Sequence, residues 1–363
     1  MSQKTVAATL LRGLLWIAAI SIALLTFITL WDTNLWWVRA LDFPRLQIAI
    51  AAGLVTLLGL LLRGAGRLAV LSLTLASGGY QLYRILPYTI AYPPEMRLAP
   101  DGPDALRLFA ANVLMENDRH DLVLEQVSRF DPDILLLMET DRAWVDALEP
   151  VLKRYPTIVR EPRDNHYGMV FATRLEAREA RIVYLTEDDT PSLFAELRGP
   201  GGMPFRFVGL HPRPPVPGQS TADRDAQIYY AARFASGEKL PLVVMGDFND
   251  VAWSDTSQMF KHVGGYLDPR IGRGFFASFD AETALVQFPI DQLYVTEDVA
   301  VVSIEQLPYV GSDHFPMAAT IRLDADLAAG LNDRPEPLGE KERERIEATV
   351  NEMRASLGHD LPN

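Results

Sequence analysis

The sequence predicts an α/β domain preceded by a helical, membrane-spanning region. Three observations predict it: long uncharged apolar runs before residue 100, short strands alternating with helices after it, and polar residues where strands end. The 363 residues are 48% hydrophobic and 22% charged, which excludes a disordered or fibrous protein. No cysteine is present, which excludes a disulfide scaffold, a thiolate metal site and a cysteine nucleophile.

The net charge of −13 is divided unevenly along the chain. Residues 1–100 carry eight basic and three acidic side chains, a sum of +5. The remainder holds 26 basic and 44 acidic side chains, a sum of −18. Phosphate contacts need Lys and Arg, so this acidic part argues against long nucleic acid as the main partner.

Three uncharged apolar runs occupy residues 13–31, 46–62 and 68–83. A bilayer core needs about 20 apolar residues in a helix, so 1–92 are predicted to form three transmembrane helices. Interfacial aromatics follow the first run: Trp31, Trp36 and Trp37. The third run is the most polar. A cleaved signal peptide is the alternative for the first run, and buried soluble helices are the alternative for the other two.

Short loops predict the orientation of these helices. Lys4 and Arg12 precede the first run, and Arg63 and Arg67 lie between the second and third with no acid beside them. By the positive-inside rule, both segments face the cytoplasm. We therefore expect a multi-pass protein of a bacterial inner membrane, with everything after Tyr92 in the periplasm. If the third run does not cross, this placement inverts.

The rest of the chain divides into a Pro-rich linker at 93–105, a domain at 106–323 and a charged tail at 324–363. Apolar runs predict strands at 106–113, 134–138, 169–172, 194–197, 205–210, 242–245, 292–295 and 316–323. Helical spacing appears at 122–130 and 222–234. The tail is expected to be a solvated or partly disordered helix, with a regulatory or partner-binding helix as the alternative.

Eight polar residues fall at strand ends or in the loops there. They are Asn112, Glu139, His211, Asp247, Asn249, Asp291, Asp313 and His314. Loops at one rim of a sheet bring distant residues together, and function concentrates there. Oxygen donors of this kind suit Mg²⁺ or Mn²⁺. Two imidazoles beside several carboxylates suit attack by water on phosphorus.

Two motifs give these residues a family context. Gly246-Asp247-Phe248-Asn249, followed by Ser312-Asp313-His314-Phe315-Pro316, resembles the signature of the endonuclease/exonuclease/phosphatase (DNase I-like) superfamily. Asn112, Glu139, His211 and Asp291 match its other motifs. The resemblance covers the domain from 106 to 323. It implies a four-layer α/β sandwich, in which helices flank two packed β-sheets, and a divalent-metal phosphoester hydrolase.

The resemblance also implies a role for each residue. Glu139 would be the main metal ligand, with Asn112 and Asp313 in or near the coordination sphere of Mg²⁺ or Mn²⁺. Asp247 would orient or deprotonate the attacking water, and Asn249 would hold a phosphate oxygen. Asp291 would fix the tautomer of His314 and favour its charged form. His211 would be a second imidazole facing the phosphate.

Departures from the family pattern leave the substrate open. Met138 stands where the family often has Gln, and Ala111 precedes Asn112. His166, Arg213 and Arg224 are weaker candidates for the site, with an exposed loop position as the alternative. Nucleic acid, a phospholipid head group and a sugar phosphate all remain possible substrates, and the lipid bilayer is the expected partner.

Two other functions are weighed against a hydrolase. One is a catalytically idle module that binds a phosphorylated ligand in the same cleft. The other is a membrane transport or assembly component. A transport function needs ionisable groups inside the membrane spans. Arg84 apart, the three runs contain no paired ionisable group, which argues against transport.

Overall fold

The computed structural model describes residues 3–185, 190–234, 240–335 and 339–356. The chain divides into two compact units. The helical unit comprises Met1–Tyr92 with Pro215–Thr221, and the sandwich unit comprises Pro93–Pro214 with Ala222–Asn363.

In the part of the helical unit that the structure describes, there are four α-helices: α1 (Gln3–Phe27), α2 (Trp36–Arg39), α3 (Arg45–Gly59) and α4 (Ala65–Ile85). Within the described residues, one segment, Thr9–Leu30, is long and apolar enough to cross a membrane. The bent pair Trp36–Asp42 and Arg45–Gly59, which meet at 70°, passes the same test only when taken together. The third predicted run coincides with α4 but does not pass, since Ser, Thr and Gln interrupt it. Three crossings therefore stay a prediction.

A buried ion pair lies just before the second apolar run. Arg45 at the start of α3 is buried and pairs with buried Asp42. Both residues precede positions 46–62, so they lie outside the runs in which the sequence shows no paired ionisable group except Arg84. Arg45 Nη1 also donates to Gln81 Oε1 at 2.9 Å, and Gln81 Nε2 donates to Thr26 Oγ1 at 3.0 Å. These contacts join α1, α3 and α4. Sequence patterns could not predict the contact between Arg45 and Gln81, because these residues lie 36 positions apart.

The sandwich unit is built from two sheets. The six-stranded sheet has the order β10 (Ala300–Gln306), β11 (Met317–Arg322), β1 (Leu106–Asn112), β2 (Ile134–Met138), β4 (Met169–Thr173), β3 (Thr157–Glu161). The five-stranded sheet has the order β5 (Glu176–Tyr184), β6 (Pro191–Arg198), β7 (Pro204–Leu210), β8 (Leu242–Asp247), β9 (Asp291–Val295). The helices are α5 (His120–Phe130), α6 (Arg142–Leu152), α7 (Ala222–Phe234), α8 (Asp255–Gly264), α9 (Ala325–Ala329) and α10 (Glu340–Ser356).

The two sheets pack face to face, as the predicted four-layer sandwich requires. Leu136 on β2 and Phe207 on β7 belong to one buried cluster between them. On the outer face of the six-stranded sheet, Leu135 packs in a second cluster with Val127 of α5 and Leu148 of α6. The outer face of the five-stranded sheet is covered in the same way by α7 and α8. Strands β1, β2, β4 and β8 have both faces buried, which explains their continuous apolar runs.

The segments on either side of the predicted domain also pack in the sandwich unit. Residues 93–105, predicted as a linker, belong to this unit, and the backbone N–H of Ala99 donates to the Val301 carbonyl at 2.8 Å. In the tail, Asp324 caps α9, and Ile346 of α10 is buried beside α7 and α8. On the same helix, Glu342 Oε2 is 3.1 Å from His262 Nε2.

Candidate active site

The strand directions bring the predicted site residues to one edge of the sandwich. Strand β1 runs parallel to β2, and β7 runs parallel to β8, so the polar residues that end each pair share an edge. Strands β9 and β11 run antiparallel to β8 and β1, so their first residues lie at that same edge. Asp247 on β8 is directly opposite Asp291 on β9.

Asn112 links the two sheets through its side-chain amide. Its Nδ2 donates to Glu139 Oε1 at 2.7 Å and to Asp247 Oδ2 at 3.1 Å. Its Oδ1 accepts from the backbone N–H of Leu114 at 3.1 Å, which fixes the amide orientation. Asn112 is only 1% exposed, so these bonds form away from bulk water.

His314 lies between two carboxylates. Its Nδ1 is 2.7 Å from Asp291 Oδ2, and its Nε2 is 3.7 Å from Asp247 Oδ2. Ser312 holds the loop in place, because its Oγ donates to the carbonyl of Asn112 at 2.8 Å and accepts from the backbone N–H of His314 at 3.0 Å. The ring of Phe279 packs against the imidazole, with centroids 4.9 Å apart.

The two buried histidines of the site have opposite pKa shifts. Burial lowers the pKa of His211 to about 4, and the charge of Glu139 only partly opposes it. Burial also disfavours the charged form of His314, but Asp291 and Asp247 overcome it and raise the pKa of His314 to about 10. At neutral pH, His314 is therefore a cation and His211 is a neutral imidazole.

Asp247 occupies the centre of this arrangement. Its Oδ2 is surrounded by Asn112 Nδ2, by His211 Nε2 at 3.6 Å and by His314 Nε2 at 3.7 Å. Burial raises the pKa of Asp247, the positive charge of His314 lowers it and the negative charge of Asp291 raises it, with a net increase. A carboxylate whose pKa is raised is a stronger proton acceptor than an ordinary one.

The loop after β8 has a backbone that its sequence explains. Gly246 has φ +148°, and a Cβ there would lie 2.1 Å from the Leu210 carbonyl oxygen, so only glycine fits. Asn249 has φ +48°, a conformation that Asn tolerates better than most residues. Its backbone N–H donates to Asp247 Oδ1 at 2.8 Å, and its Nδ2 donates to the Pro212 carbonyl at 2.9 Å.

The acidic groups of the site fit a bound divalent cation. Burial raises the pKa of Asp313, and among its charged neighbours Glu139 also raises it. Within the described residues, the ion-pair partners of Glu139 are histidines alone, His166 and His211, and no Lys or Arg pairs with Asp313. Carboxylate oxygens gathered without Lys or Arg are the donor set that Mg²⁺ and Mn²⁺ prefer.

Within the described residues, one trio of potential ligand atoms meets at short range. Atoms of Asp247, Asp291 and His314 are all within 4.8 Å of one another. His314 Nδ1 is already hydrogen-bonded to Asp291, which leaves its Nε2 as the imidazole atom available to a ligand. Because His314 is a cation at neutral pH, the trio orients a charged imidazole toward Asp247, and the imidazole could bind a metal only after losing its Nε2 proton.

The structure adds residues that sequence reasoning placed only weakly. His166 Nδ1 is 3.1 Å from Glu139 Oε2, and its Nε2 is 3.3 Å from Glu116 Oε1. Tyr167 packs its ring against His211 with centroids 5.3 Å apart. Met138 accepts the backbone N–H of Asp247 on its sulfur at 3.3 Å, so the departure from Gln replaces a strong acceptor with a weak one. In the sequence, the only pattern that pointed to His166 and Tyr167 was His-Tyr-Gly at 166–168, after a polar loop.

Solved structures with the same fold include a humanised TDP2 of D. rerio that carries 14 mutations. It is 15% identical, with a TM-score of 0.50, and the match covers 60% of this chain and 99% of that one. An endonuclease/exonuclease/phosphatase from Bacteroides vulgatus is 20% identical, with a TM-score of 0.50, and the match covers 61% of this chain and 99% of that one. Among curated proteins, no sequence matches significantly.

The sequence model of the Endonuclease/Exonuclease/phosphatase family matches residues 109–314. This range contains all eight of the predicted site residues, and more than half of the chain. The four-layer sandwich and the convergence of these residues at one edge agree with the match. The chain belongs to the Endonuclease/Exonuclease/phosphatase family.

Proposed function

We propose that this protein is a membrane-anchored, divalent-metal-dependent phosphoester hydrolase in which water attacks phosphorus. The observation that carries the proposal is a continuous set of side-chain contacts across both sheets. It runs from Asp291 through His314 to Asp247, and through Asn112 to Glu139. Such a set places a base, a cation and carboxylate ligands around one point, as hydrolysis of a phosphoester requires.

Glu139, Asn112 and Asp313 would hold the metal, Mg²⁺ or Mn²⁺. When bound, such a cation neutralises charge that develops on the phosphoryl oxygens. Glu139 is the best placed of the three, because its side chain is 14% exposed and its Oε1 accepts from Asn112. The His166 contact with Glu139 Oε2 holds the second oxygen of the same carboxylate.

Asp247 would orient the attacking water and accept its proton. Its Oδ1 is fixed by the backbone N–H of Asn249, and its Oδ2, which accepts from Asn112 and has both imidazoles beside it, would take the proton. The charged imidazole of His314 would stabilise a negatively charged group that faces its Nε2, and Asp291 keeps that ring in one orientation. His211 stays neutral and adds a second nitrogen beside Asp247 Oδ2 at 3.6 Å. Asn249 would hold a phosphate oxygen.

The first helix supports the proposed anchoring. Thr9–Leu30 is long and apolar enough to cross a bilayer, and the short loops favour a cytoplasmic N-terminus in a bacterial inner membrane with a periplasmic hydrolase domain. A reporter fused after Asn363 tests this placement. Activity of a reporter that works only outside the cytoplasm is the expected result, and activity only of a cytoplasmic reporter contradicts it.

The full chain in detergent micelles provides the test of activity. Plasmid DNA, phosphatidylcholine vesicles, inositol phosphates and sugar phosphates are supplied with Mg²⁺, with Mn²⁺ or with EDTA. We expect hydrolysis of at least one substrate that EDTA abolishes and added metal restores.

A matched pair of variants tests whether Glu139 is a metal ligand. Glu139→Gln keeps the size of the side chain but removes a charged ligand, so we expect at least a tenfold weaker apparent affinity for the metal. Glu149→Gln is the control, because Glu149 lies on α6 and pairs with Arg160 at 2.9 Å. Absence of metal-dependent turnover on every substrate would contradict the proposal. Tight binding of an unhydrolysed phosphoester would instead favour an idle binding module.

A further inference from the structure

Arg224 is a buried arginine beside the loop after β8, and the proposed reaction assigns it no role. It lies in the first turn of α7 with its side chain 2% exposed. Its Nε donates to Asp225 Oδ1 at 2.9 Å. A guanidinium loses its hydration on burial, and this loss must be offset by well-placed acceptors. The acceptors around Arg224 therefore indicate what it holds.

Two of these acceptors belong to the loop that carries site residues. Arg224 Nη1 donates to the backbone carbonyl of Asn249 at 3.4 Å and lies 3.6 Å from Asp250 Oδ1. Asp250 is fixed from its other side, since its Oδ2 accepts from Ser254 Oγ at 2.5 Å. The guanidinium thus connects α7 to two consecutive residues of this loop.

Asn249 connects Arg224 to Asp247 through its backbone. Its φ of +48° is a conformation that the surrounding structure has to maintain. The Asn249 backbone N–H donates to Asp247 Oδ1 at 2.8 Å, while its carbonyl accepts from Arg224. A change in the orientation of this one residue therefore moves the carboxylate that faces the attacking water.

We propose that Arg224 is a positioning residue that holds Asn249 in its left-handed conformation and thereby fixes the orientation of the Asp247 carboxylate. The inference rests on the proposed function for the role of Asp247 and goes beyond it in assigning a residue on a different element. The effect of Arg224 passes through the backbone of Asn249.

Kinetics of the full chain test the proposal first. Arg224→Gln removes the charge and shortens the donor, and Arg224→Lys keeps the charge but loses the planar fork. We expect kcat to fall by roughly 10- to 100-fold for Arg224→Gln, with a smaller fall for Arg224→Lys, because misplacement by about 1 Å costs rates of that size. KM should stay close to that of the wild type, since no substrate contact is removed.

Val151→Ala is the control for a purely structural effect. Val151 is buried on α6 in the outer layer of the six-stranded sheet, so its truncation lowers stability without touching the loop after β8. All rates are measured below the melting temperature of every variant. A wild-type kcat in both Arg224 variants overturns the proposal, as does an equal fall of kcat in Val151→Ala.

Hydrogen exchange provides a readout that does not depend on turnover. We expect a peptide covering residues 246–251 to exchange faster in Arg224→Gln, while a peptide covering β2 exchanges as in the wild type. Unchanged exchange at 246–251 overturns the inference even if the wild type is active. If the wild type hydrolyses no phosphoester but the loop still exchanges faster, the proposed function fails and the positioning of Asn249 stands.

Discussion

Two buried ion pairs, one from each unit, differ in what their remaining polar atoms do. In the helical unit, Asp42 pairs with Arg45, whose second terminal nitrogen donates to Gln81, and Gln81 donates to Thr26. This set joins three helices and pairs both terminal nitrogens of Arg45, while the buried Arg45 Nε has no hydrogen-bond partner among the described residues. In the sandwich unit, Asp291 pairs with one nitrogen of His314, and the other nitrogen has only a 3.7 Å approach to Asp247.

The difference distinguishes a cluster that joins helices from the one that we propose to be reactive. A polar cluster whose terminal groups are paired with one another offsets most of the desolvation of its charges and joins the elements that contribute to it. A cluster that leaves a charged imidazole without a short bond on one side can bind an incoming group there. Burial of a charged pair alone does not distinguish these cases. The contacts of the nitrogen atom that lies outside the ion pair, Arg45 Nη1 or His314 Nε2, do distinguish them.

Breaking the pair in the sandwich unit should have the largest effect. His314→Ala and Asp291→Asn are each expected to lower kcat by about 10³-fold at saturating metal, because they remove or misorient the cation beside Asp247. Initial rates on the best substrate measure this. His262→Ala is the matched control, since His262 pairs with Glu342 on α10 at 3.1 Å. A His314→Ala enzyme with wild-type kcat would contradict the functional side of the comparison.

Breaking the pair in the helical unit should lower stability and leave the chemistry intact. Arg45→Met removes the guanidinium that pairs with buried Asp42, and breaking a buried pair costs about 3–5 kcal/mol. Thermal unfolding of the full chain in detergent should show the loss. The double variant Asp42→Leu with Arg45→Met should recover most of it, because both charges of the pair are then absent. If the single variant unfolds at the wild-type temperature, the cluster is not structural.

An exposed pair gives the smallest effect. Arg174 pairs with Asp131, whose side chain is 48% exposed, and the Arg174 hydrogen bond holds the pKa of Asp131 below its usual value. Its contribution is present above the ordinary aspartate pKa of about 4 and is lost as pH falls through the lower folded value.

Asp131→Asn should therefore cost less than about 1 kcal/mol at pH 7 and nothing at pH values below the folded pKa. Paired melting curves of the wild type and the variant at pH 7 and near pH 2 measure this. A cost of several kcal/mol, or the same cost at both pH values, would show that exposure does not weaken the pair.

Sequence patterns revealed the sandwich because its strands are continuous apolar runs that end on polar residues. Asp247, Asn249, Asp313 and His314 could be identified since two short motifs carry them. The contact of Arg45 with Gln81 could not, because neither residue belongs to a local pattern. Arg224 shows the same limit: its burial depends on packing α7 against the loop after β8, and its sequence neighbours resemble those of an exposed helix start.

The Asn112 contact with Asp247 has a consequence for folding kinetics. Asn112, Glu139, Asp313 and His314 lie on the six-stranded sheet or next to it, and His211, Asp247, Asn249 and Asp291 lie on the five-stranded one or next to it. Neither sheet alone holds a complete site. During refolding, recovery of turnover should therefore lag behind recovery of secondary structure. The time course of turnover would then report when the two sheets pack against each other.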